Sequence, residues 1–145
     1  MAKPETEFKT ALRDAWKAYG GWSEAYEPAR GSGIGYPDVQ FLDTGRLVPA
    51  ELKIGRLLGA FLFSDDIRPA QVKWHWDLRR HGGHSCLLVG VREGGNWALY
   101  AYAGRLADWR AGWRIGADAL CLGWVSDPKT MAALSDYLRR LPSMG

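Results

Sequence analysis

The chain has 145 residues, of which 47% are hydrophobic and 24% charged, with a formal net charge of +3. That length suits one compact domain with its own core, and these fractions exclude a disordered or fibrous chain. Two cysteines, Cys86 and Cys121, cannot build a disulfide framework. No apolar run approaches the ~20 residues of a membrane span. The opening Met1-Ala2-Lys3-Pro4-Glu5 lacks the apolar core of a secretory signal. An intracellular protein is therefore expected, in cytoplasm or nucleoid, encoded by a cell or a virus. A pI near 9.0 permits a polyanionic partner without requiring one.

Phe8, Ala11, Leu12, Ala15, Trp16 and Tyr19 recur at helical spacing, which predicts an amphipathic helix over residues 5–19, ended by Gly20-Gly21. Residues 22–27 predict a short strand, and 28–35, with Gly31-Ser32-Gly33-Ile34-Gly35, a loop. Residues 37–42 and 47–53 predict a hairpin turning through Asp43-Thr44-Gly45-Arg46. The stretch 54–66 is apolar, glycine-bearing and irregular, and a loop or one short helical turn is expected. Pro69 opens a helix to about His81, stopped by Gly82-Gly83. The apolar run 85–91 predicts a buried strand. Glu93-Gly94-Gly95-Asn96 turns into another strand over 97–102, and the tail predicts helices near 106–111 and over 128–141. This order implies an α/β domain: a single mixed central β-sheet flanked by helices, with a core over about 5–102 and a C-terminal helical extension over about 103–145.

The hairpin carries the chemistry. Side chains alternate along a strand, so Glu51 and Lys53 share a face. A turn about Thr44-Gly45 pairs Asp43 with Arg46. Counting back, Leu42 faces Leu47, Phe41 Val48, Gln40 Pro49 and Val39 Ala50, which leaves Asp38 opposite Glu51. Directly opposed Cβ atoms lie roughly 4.5–5.5 Å apart. Two carboxylates so placed repel unless a cation sits between them, and oxygen ligands suit Mg²⁺, with Mn²⁺ as a substitute. Lys53 beside them is placed to orient or deprotonate a water, or to stabilise charge on a phosphate. Such a set suits phosphodiester hydrolysis, in which the metal polarises phosphoryl oxygens and acidifies water.

Pro37-Asp38 followed by Glu51-Leu52-Lys53 resembles the motif of the PD-(D/E)XK nuclease superfamily. Glu5-Thr6-Glu7-Phe8-Lys9-Thr10-Ala11-Leu12 is similar to the first helix of archaeal Holliday-junction resolvases and VRR-Nuc domains. Arg68-Pro69-Ala70-Gln71-Val72-Lys73-Trp74-His75, with Gly82-Gly83, is similar to the helix after the Glu-x-Lys strand in VRR-Nuc-type proteins. The resemblance spans about residues 5–91. It implies a restriction-endonuclease-like core, Mg²⁺-dependent DNA cleavage leaving 5′-phosphate and 3′-hydroxyl ends, and a homodimer. It also implies a metal-site glutamate on the first helix, joining Asp38, Glu51 and the Leu52 carbonyl. At 100° per residue Glu5 falls about 50° from the centre of the apolar stripe and Glu7 about 110°. Glu5 is thus better placed to face the sheet, and the Glu-x-Glu-Phe pattern of the family favours it too. Gln71 matches a polar residue that some members hold near the catalytic lysine; it either orients water or phosphate there or is an exposed helix residue. Resolvase relatives place a serine or arginine in the loop near the scissile phosphate, which makes Arg30 and Ser32 candidates. Arg68 and Lys73 are either backbone contacts or ordinary surface charges.

Other features carry less. The glycine stretch at 31–35 lacks the Gly-Lys-Ser/Thr of a P-loop, and Pro37 follows it rather than a helix. His75, His81 and His84 follow no zinc spacing and read as cap and surface histidines. Val72 with Trp76, and Trp74 with Leu78, put large apolar groups on two faces of one helix, one for the sheet and one for a second subunit. Trp97, Trp109, Trp113 and Trp124 belong to a core or an interface. No helix-turn-helix or zinc finger is present to read sequence. The leading expectation is therefore a homodimer that cuts branched DNA such as a Holliday junction. The alternatives are an inactive nucleic-acid-binding or assembly protein on the same fold, and a nuclease of other DNA or RNA.

Overall fold

The computed structural model describes residues 3–25, 37–43, 45–64, 67–102, 112–116 and 118–141. The first helix, α1 (Pro4–Ala18), opens with proline, whose missing N–H is unpaired in the first turn anyway. It buries Phe8, Leu12 and Trp16, a single column at four-residue spacing. Strand β1 (Trp22–Ala25) lies at the sheet edge against β2 (Val39–Asp43). Strand β3 (Arg46–Leu58) returns from β2 in the register the sequence predicts, with Val39 opposite Ala50, Phe41 opposite Val48 and Asp43 opposite Arg46.

Residues 54–66 differ from expectation. Strand β3 runs on to Leu58, turns at Gly59-Ala60 and pairs with β4 (Phe61–Ser64), Leu58 opposite Phe61 and Leu57 opposite Leu62. Gly59 has φ +61°, the conformation a two-residue hairpin turn demands. Helix α2 (Pro69–Arg80) then crosses to β5 (Cys86–Glu93), which pairs parallel to β3. Strand β6 (Asn96–Tyr102) follows antiparallel to β5.

The C-terminal extension is not only helical. It contains β7 (Trp113–Arg114), paired with β4, and β8 (Ala119–Trp124), paired with β6, before α3 (Pro128–Arg139). The main sheet reads β1-β2-β3-β5-β6-β8, a mixed sheet because β3 and β5 are parallel. The helix expected near 106–111, and Trp109 with it, lie outside the described residues. Trp113 is buried and stacks on Tyr102 at 4.7 Å, which assigns it to the core. Among the described residues no helix is long and apolar enough to cross a membrane.

Two apolar layers enclose the sheet. On one face α1 and α3 pack on Phe41, Ala50, Leu52, Leu88 and Leu99. On the other, Leu62, Trp113 and α2's Val72 cover Leu87, Val89 and Tyr100. The turn end of the β2–β3 hairpin is clamped to α3. Asp43 accepts from Ser135 Oγ (2.7 Å) and Arg139 Nε (3.2 Å). Arg46 donates to the carbonyls of Leu138 (3.0 Å), Arg139 (2.5 Å) and Leu141, satisfying the helix end that its own ladder leaves open.

The seat of α1 depends on Gly90 of β5, where a Cβ would stand 2.5 Å from the Phe8 ring. Gly90→Ala is expected to push α1 off the sheet and destabilise the fold by about 1–3 kcal/mol, the range of an overpacked core. A urea melt checks this, as a lowered midpoint at unchanged slope.

Candidate metal centre

The register that pairs Val39 with Ala50 would set Asp38 against Glu51 and Pro37 against Leu52. Proline has no N–H to offer a ladder, and β2 begins only at Val39. The strands therefore fork here. The Asp38 N–H still donates to the Ala50 carbonyl (3.2 Å), while its Oδ2 accepts the Leu52 N–H (2.9 Å). The Asp38 carboxylate thus takes the strand's place in the ladder, half-buried at the mouth of the fork.

Glu51 and Lys53 stand opposite Leu87 and Val89 on the parallel neighbour, and so face α2. Glu51 is completely buried and Lys53 is 8% exposed. Two residues of α2 hold the Glu51 carboxylate, one on each oxygen: Gln71 Nε2 donates to Oε2 (3.2 Å), and His75 Nε2 lies 3.0 Å from Oε1. Gln71 also accepts the Arg68 N–H (2.9 Å), which caps the helix and fixes its amide. Gln71 is therefore not an exposed helix residue, and His75, completely buried, is not a surface one.

Burial pushes the Glu51 carboxyl up from 4.5 to about 9, and the adjacent Asp38 adds to this; the charges of Lys53 and Arg68 oppose it without cancelling it. Burial holds His75 down at about 3, helped by the positive charge of Arg79. His75 is thus neutral, and toward an ionised Glu51 its Nε2–H is the donor.

Of the other predicted residues, Glu5 is exposed and shares a cavity of about 140 Å³ with Lys3, Thr6, Lys9, Asp38 and Leu52. Glu7 instead pairs with Arg92 at 2.6 Å. Arg68 is exposed at the head of α2, near enough for its charge to act on Glu51. Lys73 is exposed and held by Asp77 at 2.7 Å. Arg30 and Ser32 lie outside the described residues. The structure brings Asp38 to Glu51, and Glu5 to Asp38's cavity. Among the described residues no three His, Cys, Asp or Glu side chains already converge on one point as a metal cage.

The donor chemistry fits Mg²⁺, which keeps several waters and is commonly held by one or two carboxylates. Asp38 and Glu51 are two such carboxylates, one of them with an ionisation so opposed that a nearby cation would relieve it. The Leu52 main chain faces the same fork. No protein-family model matches the chain, and a search of curated proteins gives no match.

Gln71 apart, the α2 face was the part sequence reasoning missed. Its buried residues are Gln71, His75 and Arg79, polar groups four apart, rather than either tryptophan-bearing column, and Trp76 is 48% exposed. The signal was present as a polar column flanked by apolar ones at helical spacing. A polar face can be buried only where each group finds a partner, and here Glu51 and Ser85 supply them.

These shifts predict the pH dependence of the metal-free fold. The folded chain keeps the Glu51 proton up to about pH 9, whereas the unfolded chain releases it near 4.5, so stability falls as pH rises through that window. For His75 the unfolded chain takes a proton near 6.5 and the folded chain only near 3, so stability falls as pH drops through that window. Between 4.5 and 6.5 the two oppose each other, and the decline is steepest outside it. Urea melts across pH in EDTA measure this, and Glu51→Gln is expected to flatten the alkaline limb. An unaltered limb in that variant would assign the decline to another group.

Proposed function

We propose that the chain is a Mg²⁺-dependent endodeoxyribonuclease of the PD-(D/E)XK kind, cutting branched DNA such as a Holliday junction as a homodimer. One observation carries the reading: a buried carboxyl, Glu51, lies beside a second, Asp38, at the fork of a hairpin, with Lys53 on the same strand face. Asp38, Glu51 and the Leu52 carbonyl would hold the ion, with Glu5 reaching it from α1. Bound there, Mg²⁺ supplies Lewis acidity toward the scissile phosphate and toward water. Gln71 and His75 fix the two Glu51 oxygens from α2. The Lys53 ammonium stabilises charge developing on the phosphate and orients the attacking water. The preference for branched DNA rests on the lack of a recognisable sequence-reading motif in the chain, and a symmetric pair of sites would suit two-strand cleavage.

The test is cleavage of a labelled four-way DNA junction beside a matched linear duplex in Mg²⁺. Symmetric nicks in the junction alone are expected. They should vanish in Asp38→Asn, which can still accept the Leu52 N–H, and fall about 10²–10³-fold in Lys53→Ala, the scale of losing one charge-stabilising donor. Equal cutting of both substrates would keep the nuclease and remove the junction preference. DNA binding without cutting would make the chain an inactive binding protein on this fold.

A further inference from the structure

Helix α1 carries a polar column beside its buried one. Glu5, Lys9, Arg13 and Lys17 follow one another four residues apart, a rise of about 6 Å per step, and sit about 100° around the helix from Phe8, Leu12 and Trp16. Two cavities lie end to end along this column. The smaller is the one that Glu5 and Lys9 share with Asp38. The larger, about 450 Å³, lies between α1 and β1, with Lys9, Thr10, Arg13, Asp14, Lys17 and Ser23 among its lining. Lys9 belongs to both, so the column leads from the fork along the sheet edge without a break.

The cations of this column are not neutralised as others on the surface are. Lys73 pairs with Asp77, Arg92 with Glu7, Arg139 with Asp43 and Arg140 with Asp136. Among the described residues Lys9 and Lys17 form no ion pair. Arg13 is steadied by the Ser23 hydroxyl (3.1 Å) and carbonyl (3.3 Å), both neutral. Three cations against the carboxylate of Asp14 leave the larger cavity positive. Like charges four apart on a helix repel one another, so Lys9, Arg13 and Lys17 do not steady each other. A polyanion with charges at a comparable stride would relieve that repulsion, and the phosphodiester backbone of DNA is one.

We propose that Lys9, Arg13 and Lys17 hold the backbone of a DNA strand as it enters the fork between Asp38 and Glu51. The strand's destination rests on the nuclease reading; its binding does not. Fluorescence anisotropy with a labelled linear duplex, in EDTA so that nothing is cut, tests it across a salt series. The double variant Lys9→Ala/Lys17→Ala is expected to bind more weakly. Its plot of log affinity against log salt should be shallower by about 1.8, since each phosphate that a lysine neutralises adds about 0.9 to the slope. Arg140→Ala, whose cation already has a partner, should keep the parent slope. Unchanged thermal melting of the double variant would exclude misfolding as the cause. A parent slope in the double variant, or a parent chain that does not bind the duplex, overturns the track. A parent that binds through Lys9 and Lys17 yet cuts no DNA in Mg²⁺ keeps the track and removes the nuclease.

Discussion

The buried carboxylate of Glu51 is the constraint on which the rest of this molecule turns. A carboxylate taken out of water must be neutralised by a proton, answered by a cation or fed with hydrogen bonds. Here Gln71 and His75 supply the hydrogen bonds, and Lys53 and Arg68 part of the charge. That need sets two of the buried positions of α2, Gln71 and His75, where a helix of its length would ordinarily turn leucines to the sheet; the third, Arg79, serves Ser85. The helix is therefore registered on the sheet by directional bonds as well as by packing. Such bonds gain strength in a low-dielectric interior and are costly when broken. The proton and a metal ion are alternative answers to one excess of negative charge.

Local chemistry decided what could be read in advance. The β2–β3 hairpin was legible residue for residue because alternation and a glycine-bearing turn fix register without help from elsewhere. That register brought Asp38 beside Glu51, but it did not reveal the fork that replaces a regular ladder pair between them. Strand β4 was missed because Gly59-Ala60 sits between apolar runs with no polar residue to mark the turn, although Gly-x is itself a two-residue turn signal. Strand β8 was missed for a different reason. Its burial does not alternate cleanly, and its pairing with β6 is interrupted between Leu99 and Tyr100. The role of His75 had no local signature at all. A histidine becomes a carboxylate's partner only when a crossover helix is laid over a strand 24 residues away in sequence.

The fork at Asp38 also explains how one site draws on both faces of the sheet. Within a regular ladder, Glu51 and Lys53 would be confined to the α2 side. By ending β2 at Val39, the chain opens a gap through which the Asp38 carboxylate reaches the Leu52 main chain and borders the α1 cavity. Proline at position 37 is part of this arrangement, since a residue with an N–H there could extend the ladder and close the gap.

The clamp between the hairpin turn and α3 bears on the order in which the molecule comes into being. Asp43 and Arg46 bond to residues 92 to 96 positions further along the chain. These bonds close long loops, and long loops are slow to form. During synthesis from the N-terminus, the hairpin bearing Asp38 and Glu51 is made well before the helix that fixes its turn end, whose bonding residues follow 92 to 96 positions later. A growing chain therefore carries the hairpin for that interval without the clamp on its turn end. The turn end of the hairpin is thus fixed only once α3 has emerged.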